Sequence, residues 1–160
     1  MARFNRILEL DPEACTACVQ PGVRNLTISR AAAPHGLHYA PDPSSQIACS
    51  IGGNVAENAG GVHCLKYGLT MHNILTLEVL TIDGERVTLG SEALDAPGFD
   101  LLALFTGSEG MLGIVVEVTV KLLTKPRSAT VLLASFDNVG KAVAAVAQII
   151  GAARFPVASR

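Results

Sequence analysis

The chain has 160 residues and a net charge of −2, with 49 % hydrophobic and only 16 % charged side chains; an ordinary soluble domain carries roughly 25 % charged. Its scattered Lys and Arg give no basic field for nucleic acid. No apolar run approaches the ~18 residues of a membrane span, and the opening M-A-R-F-N-R-I-L lacks the apolar stretch of a secretion signal. These features predict a cytoplasmic protein of one domain, or one and a half small ones, with part of its surface covered by further protein or by a cofactor.

Residues 6–10 (R-I-L-E-L) and 15–20 (C-T-A-C-V-Q) read as two short strands around the Asp11-Pro12 turn, and Pro21-Gly22 ends the second. Cys15 and Cys18 form a C-x-x-C, which can mean a redox pair or half a zinc site. No second C-x-x-C and no H-x-x-x-H completes a metal set, and positions three apart on a strand face opposite ways. Small buried thiols are the simpler reading, and no metal is expected. Asn25 suits the cap of a helix through about Ser29 to Ala33, closed by Pro34 and Gly36.

Residues 40–70 are rich in glycine, poor in charge and without clear periodicity, which predicts a structured loop region. Two strand-like segments, 74–82 and 85–89, flank Asp83-Gly84, the pair that suits a type I′ hairpin turn. Residues 99–105 are apolar at helical spacing, and 114–123 read as a long buried strand. Lys125-Pro126 is the clearest boundary, dividing 1–126 from 127–160. Beyond it, 130–136 reads as a strand. Asp137 would then cap a helix with Val139, Val143, Val146 and Ile150 on one face and Gly151 as its stop. That order of strands with interspersed helices gives an α+β class.

The stretch I-G-G-N-V-A-E-N-A-G-G (51–61) carries almost no side-chain bulk. Glycine pairs let another group approach the backbone and can expose successive N–H groups as an anion-binding concavity. Asn54 and Asn58 are four apart, so on a helical turn they would share a face and could read a planar polar ligand. The competing explanation is a tight packing crossover between protein segments, and this stretch alone favours neither. It is no G-x-G-x-x-G in a βαβ unit and no G-K-[ST] phosphate loop. A second glycine cluster, T-G-S-E-G-M-L-G-I-V (106–115), precedes the buried strand, where glycine again marks close approach. Two separated glycine-rich loops suggest a long ligand held at both ends.

Taken together, P-G-V-R-N-L, A-P-D-P-S-S, C-S-I-G-G-N-V-A-E-N-A-G-G, K-Y-G-L-T and G-S-E-G-M-L-G-I-V resemble the FAD-linked oxidases of the vanillyl-alcohol-oxidase type. Within them the chain is most similar to the branch acting on glycolate, D-lactate and D-2-hydroxyglutarate. The resemblance covers nearly the whole chain, in order and spacing. It implies the central part of a PCMH-type FAD-binding domain over 1–126, then the first strand and helix of the C-terminal substrate domain. FAD would lie beside Pro41, Asp42, Pro43, Ser44 and Ser45. Next to it would come Cys49, Ser50, Gly52, Gly53, Asn54 and Ala56, then Asn58, Ala59, Gly60 and Gly61, with Tyr67 and Gly68 nearby. Glu109, Gly110, Gly113, Ile114 and Val115 would meet its other end.

The implied reaction is oxidation of a small 2-hydroxy acid by hydride transfer to flavin, with other oxidase subunits as partners and membrane association through them. The family's upstream pyrophosphate loop and most of its substrate domain have no counterpart here. The chain is therefore expected to be an internal piece of a longer enzyme, binding FAD weakly or not at all alone and lacking dehydrogenase activity. A flavin- or nucleotide-binding module without chemistry, or an inert truncated remnant, are the alternatives. Self-association through the apolar stripe of the last helix is expected.

No catalytic residue is assigned. Of His35, His38, His63 and His72, the groups that titrate near neutral pH, His63 lies nearest the glycine stretch. Asp42 serves either turn geometry or the cofactor's ribose. Glu109 suits a ribose hydroxyl or a turn, and Tyr67 the flavin region or the core.

Overall fold

The computed structural model describes residues 3–93, 98–128, 131 and 133–152, which fall into two compact units, Met1–Lys125 and Pro126–Arg160. In the first, the chain runs β1 (Ile7–Asp11), β2 (Thr16–Val19), α1 (Asn25–Ala32), β3 (Leu37–His38), α2 (Ile51–Glu57) and α3 (Cys64–Tyr67). It continues through β4 (Ile74–Leu80), β5 (Arg86–Gly90), α4 (Leu101–Phe105), β6 (Ile114–Lys121) and β7 (Leu123–Thr124). Five strands form one antiparallel sheet in the order β1-β2-β6-β4-β5, and β3 pairs with β7 in a separate two-stranded ribbon.

Alternation along the strands decides which sheet face is covered. Val19, Leu77, Val118 and Val120 are fully buried, and they share one core with Ile28 of α1 and Ile51 and Val55 of α2. The intervening positions carry polar groups. Glu78 stands opposite both Thr88 and Glu117 in the register, and Arg86 reaches the two carboxylates, Nε donating to Glu78 (2.8 Å) and Nη2 to Glu117 (2.6 Å). β6, from late in the unit, fills the position between β2 and β4.

Several local expectations change. Asn25 is not the cap of α1 but its first residue, 1 % exposed. The orphan amides of that helix start are taken by carbonyls from a distant loop: Asn25 N–H donates to Cys49 (3.1 Å) and Leu26 N–H to Gln46 (3.1 Å), so no side-chain cap is needed. Within 40–70, the glycine-rich stretch forms helix α2, capped by the Ser50 hydroxyl accepting from Gly53 N–H (3.3 Å). Two glycines in a helix cost about 1 kcal/mol each relative to alanine, so packing has to hold it.

The hairpin turn is not type I′. Asp83 keeps an ordinary φ and Gly84 alone is left-handed at 79°; Gly84 N–H bonds Thr81 O (3.0 Å) and Thr81 N–H bonds Glu85 O (2.9 Å). That is a three-residue loop ending in a glycine bulge. The long strand over 114–123 breaks at buried Leu122, where the chain leaves the sheet to pair with β3. The four cysteines are free thiols, and burial pushes the Cys18 thiol above its ordinary value. Among the described residues no cluster of three potential metal ligands occurs.

In the second unit, α5 (Val139–Ala152) starts one residue later than expected. Asn138, not Asp137, supplies the capping oxygen, accepting from Lys141 N–H at 2.9 Å, while Asp137 pairs with the Lys141 ammonium at 2.6 Å. Gly151 lies inside the helix rather than ending it. Val139, Val143, Val146 and Ile150 are all exposed. The strand expected over 130–136 falls partly outside the described residues, and those of it that are described join no ladder. No described helix is long and apolar enough to cross a membrane.

Candidate functional site

The reason for the small residues in 51–61 is visible glycine by glycine. A Cβ on Gly52 would lie 2.6 Å from Cβ of Pro21, one on Gly60 2.9 Å from Leu69 Cδ2, and one on Gly61 2.6 Å from the carbonyl oxygen of Asp42. Protein packs against all three. Gly53 differs, because its Cβ would meet only the Ser50 hydroxyl at an ordinary 3.4 Å. The anion-binding concavity expected at Gly52-Gly53 does not form, since Gly52 N–H donates to Pro21 O (2.8 Å) and Gly53 N–H to Ser50.

The two amides do not share a face. Asn54 is 3 % exposed, and its Nδ2 donates to Asn25 Oδ1 at 3.0 Å. Asn58 leaves the helical path at φ 49°, where its Oδ1 accepts from Met71 N–H at 3.1 Å. Both side chains therefore brace the loop. Ala59 continues the brace, its carbonyl accepting from the Thr70 hydroxyl at 2.7 Å and the Thr70 N–H at 3.0 Å.

The segment 41–50 is held from two sides. Pro41 O accepts from Asn25 Nδ2 (2.7 Å), and internal turns close through Pro43 O and Ser45 O; the hydroxyls of Ser44 and Ser45 stay at the surface. Asp42 grips the next turn, with Oδ1 accepting from His63 N–H (3.3 Å) and Oδ2 paired with His63 Nδ1 (2.5 Å). His63 is thus tied to the loop but exposed. Tyr67 stacks its edge on His38 with centroids 6.0 Å apart and lies under the Lys66 ammonium. Gly68, at φ 78°, packs on the His72 ring.

The two glycine-rich segments converge. Gly107 N–H donates to Val55 O (2.8 Å) and Glu109 N–H to Ala56 O (3.0 Å), so the second loop caps the last carbonyls of α2. Beside this seam lies a cavity of about 160 Å³ lined by Gly52, Val55 and Ala56 from α2, and by Phe105, Ser108, Gly110, Gly113, Ile114 and Val115. Gly113 lets its strand start close to Leu80, whose oxygen would be 2.7 Å from an added Cβ. Glu109, at φ 54°, is exposed and is not among the lining residues.

One wall atom stands out chemically. Ser108 is 9 % exposed, and its hydroxyl is buried without a hydrogen-bond partner among the described residues, an arrangement that costs about 1–3 kcal/mol unless a ligand or water supplies the bond. Ser108, Val55 and Phe105 are the residues that sequence reasoning missed. Position 108 between two glycines of T-G-S-E-G was the available signal for the first; Phe105 read only as part of an apolar helical run, and Val55 carried no signal of its own within the glycine stretch.

The FAD binding domain family matches residues 1–90. The chain is 75 % identical over 150 residues to the glycolate oxidase subunit GlcD of Escherichia coli, covering 94 % of this chain and 30 % of that protein. It is 38 % identical to a D-lactate dehydrogenase of Anaerostipes hadrus, over 92 % of this chain and 31 % of the relative. In three dimensions it matches an alkyldihydroxyacetonephosphate synthase structure with a TM-score of 0.77 at 26 % identity, over 94 % of this chain and 27 % of the other. The chain thus spans about a third of the length of the relatives it matches.

Proposed function

This chain belongs to the FAD-binding-domain family, and on that premise we propose that it is the FAD-holding part of an oxidoreductase of small 2-hydroxy acids of the glycolate or D-lactate type. The observation that carries the reading is the cavity at the seam of the two glycine-rich segments, with Ser108 in its lining and the buried Ser108 hydroxyl unpartnered among the described residues. Its lining fits one ring of such a cofactor. Val55, Phe105, Ile114 and Val115 offer apolar contact to a ring face, and Ser108 offers one hydrogen bond to a ring edge. About 160 Å³ is below the roughly 300–1,000 Å³ that encloses a whole drug-sized ligand, so the rest of an extended dinucleotide lies along other surface. To the cavity and that surface together we assign residues 41–45, Cys49, Ser50, Gly52, Gly53, Asn54, Ala56, 58–61, Tyr67, Gly68, Glu109, Gly110 and 113–115.

When bound, FAD supplies the two-electron acceptor for the hydride of the substrate's Cα. None of the nine cavity residues is ionisable, so this chain's own part is to bind, orient and exclude water, and no proton step is assigned to it. The names of the relatives support the substrate class. Substrate-holding groups are assigned to parts of such an enzyme outside the matched third, with other oxidase subunits as partners in the cytoplasm.

Titration of FAD with the chain, followed by flavin fluorescence, tests the reading. Of the two outcomes the sequence leads one to expect, weak binding by the chain alone and none, the cavity favours the first: weak saturable quenching, lowered about fivefold further by Ser108→Ala, the worth of one ordinary hydrogen bond. No saturable response, or an unchanged Ser108→Ala, would overturn it.

A further inference from the structure

Asn25 lies outside the cavity and outside the glycine-rich segments, yet its buried amide is used at both ends. Its Oδ1 accepts from Asn54 Nδ2 at 3.0 Å and its Nδ2 donates to Pro41 O at 2.7 Å. Asn54 belongs to α2, the helix that lines the cavity through Gly52, Val55 and Ala56. Pro41 opens the segment that carries Asp42, Ser44 and Ser45. One side chain therefore joins the helix behind the cavity to the neighbouring loop.

The backbone around it reinforces that joint. Asn25 N–H bonds Cys49 O and Leu26 N–H bonds Gln46 O, while Arg24 bridges Ser50 and Ile51 N–H reaches Val23 O at 2.8 Å. Every one of these contacts links α1 or its entry to residues 46–51. With Asn25 1 % and Asn54 3 % exposed, water cannot replace a lost partner without opening the packing, so the cost of breaking the pair falls on the loop geometry.

We propose that Asn25 is a positioning residue for the FAD site, acting through Pro41 and Asn54 to hold the 41–50 loop in register with α2. The proposal rests on the FAD reading above and makes no claim that Asn25 touches the cofactor. It differs from ordinary core packing in what it predicts: a core residue sets how stable the fold is, whereas Asn25 sets where two walls of one site stand relative to each other.

The experiment compares Asn25→Ala with Leu77→Ala, a fully buried core position in β4 that is not among the cavity-lining residues, by FAD titration and by amide hydrogen exchange. Asn25→Ala is expected to lower FAD affinity about tenfold, from two buried groups left unpaired. It should also speed exchange at Gln46, Ala48 and Cys49, whose N–H groups close the loop turns, while amides of the β4–β5 hairpin keep their protection. Leu77→Ala should destabilise the fold without changing FAD affinity after correction for the unfolded fraction. Should Asn25→Ala fail to fold, Asn54→Ala, which removes one of the two bonds, is read the same way. Uniformly faster exchange, or an affinity loss no larger than that of Leu77→Ala, would overturn the assignment. If the unaltered chain gives no FAD response but the loop amides still loosen selectively, the positioning role stands and the FAD reading fails.

Discussion

Gly61 sits so close over the backbone of Asp42 that a single methyl group would occupy space held by the Asp42 carbonyl, 2.6 Å from its oxygen. Gly61→Ala is therefore expected to push the 60–63 turn off the 41–43 segment, costing about 1–3 kcal/mol as other overpacked sites do. Thermal unfolding would measure that loss, and an unchanged melting temperature would mean the turn gives way freely. The same substitution should break the Asp42–His63 pair, because both of its bonds depend on that separation. Gly53→Ala makes the contrast: only the Ser50 hydroxyl is near, at 3.4 Å, and alanine favours a helix by about 1 kcal/mol over glycine, so stability should rise. Two glycines of one motif thus answer to opposite physical demands, and only their neighbours in space tell them apart.

At the scale of the sheet, Glu78 and Glu117 face each other across β4 and β6, an arrangement that is destabilising unless a cation intervenes. Arg86 from β5 bridges both. The Thr88 hydroxyl first, and Arg86 after it, hold the Glu78 carboxyl below its usual range. A carboxyl whose folded value is depressed contributes stability above its unfolded value and loses that contribution as pH falls through the lower folded one. Unfolding free energy should accordingly drop on acidification into and below the usual carboxylate range, and Glu78→Gln should flatten that part of the profile. Because the network is largely exposed, salt should weaken it. Arg86→Met should lower the melting temperature at low salt more than at high salt; an equal loss at both would assign Arg86 a packing role instead. Equilibrium denaturation across pH and salt reads both expectations.

At the scale of the whole molecule, α5 presents Val139, Val143, Val146 and Ile150 as exposed side chains of one 14-residue helix. Such a stripe calls for a cover, and the chain is expected to self-associate through it. Sedimentation at several concentrations should show oligomers that Val143→Glu with Val146→Glu disperses, and a monomer at every concentration would remove the expectation. How much of this architecture was legible in the sequence differs by kind. Alternating β-branched runs placed the hairpin and the buried strand before 121, because a period of two is a local property of each strand. Helical spacing likewise placed the helices ending near Phe105 and Ala152, and cap and stop signals the one ending near Ala32. The motifs in 51–61 and 106–115 pointed, by their resemblance, to the family. Tertiary structure alone decided that the glycine stretch is a helix, since propensity speaks against it and the burial of Ile51 and Val55 in the core, with the seat against Pro21, offsets that. It decided, too, that Asn54 turns inward and that Asn25 braces rather than caps. Most of all, it brought Ser108 and Ala56 to one cavity wall. Those outcomes depend on partners distant in sequence, and neither propensity nor periodicity carries information about a partner dozens of residues away.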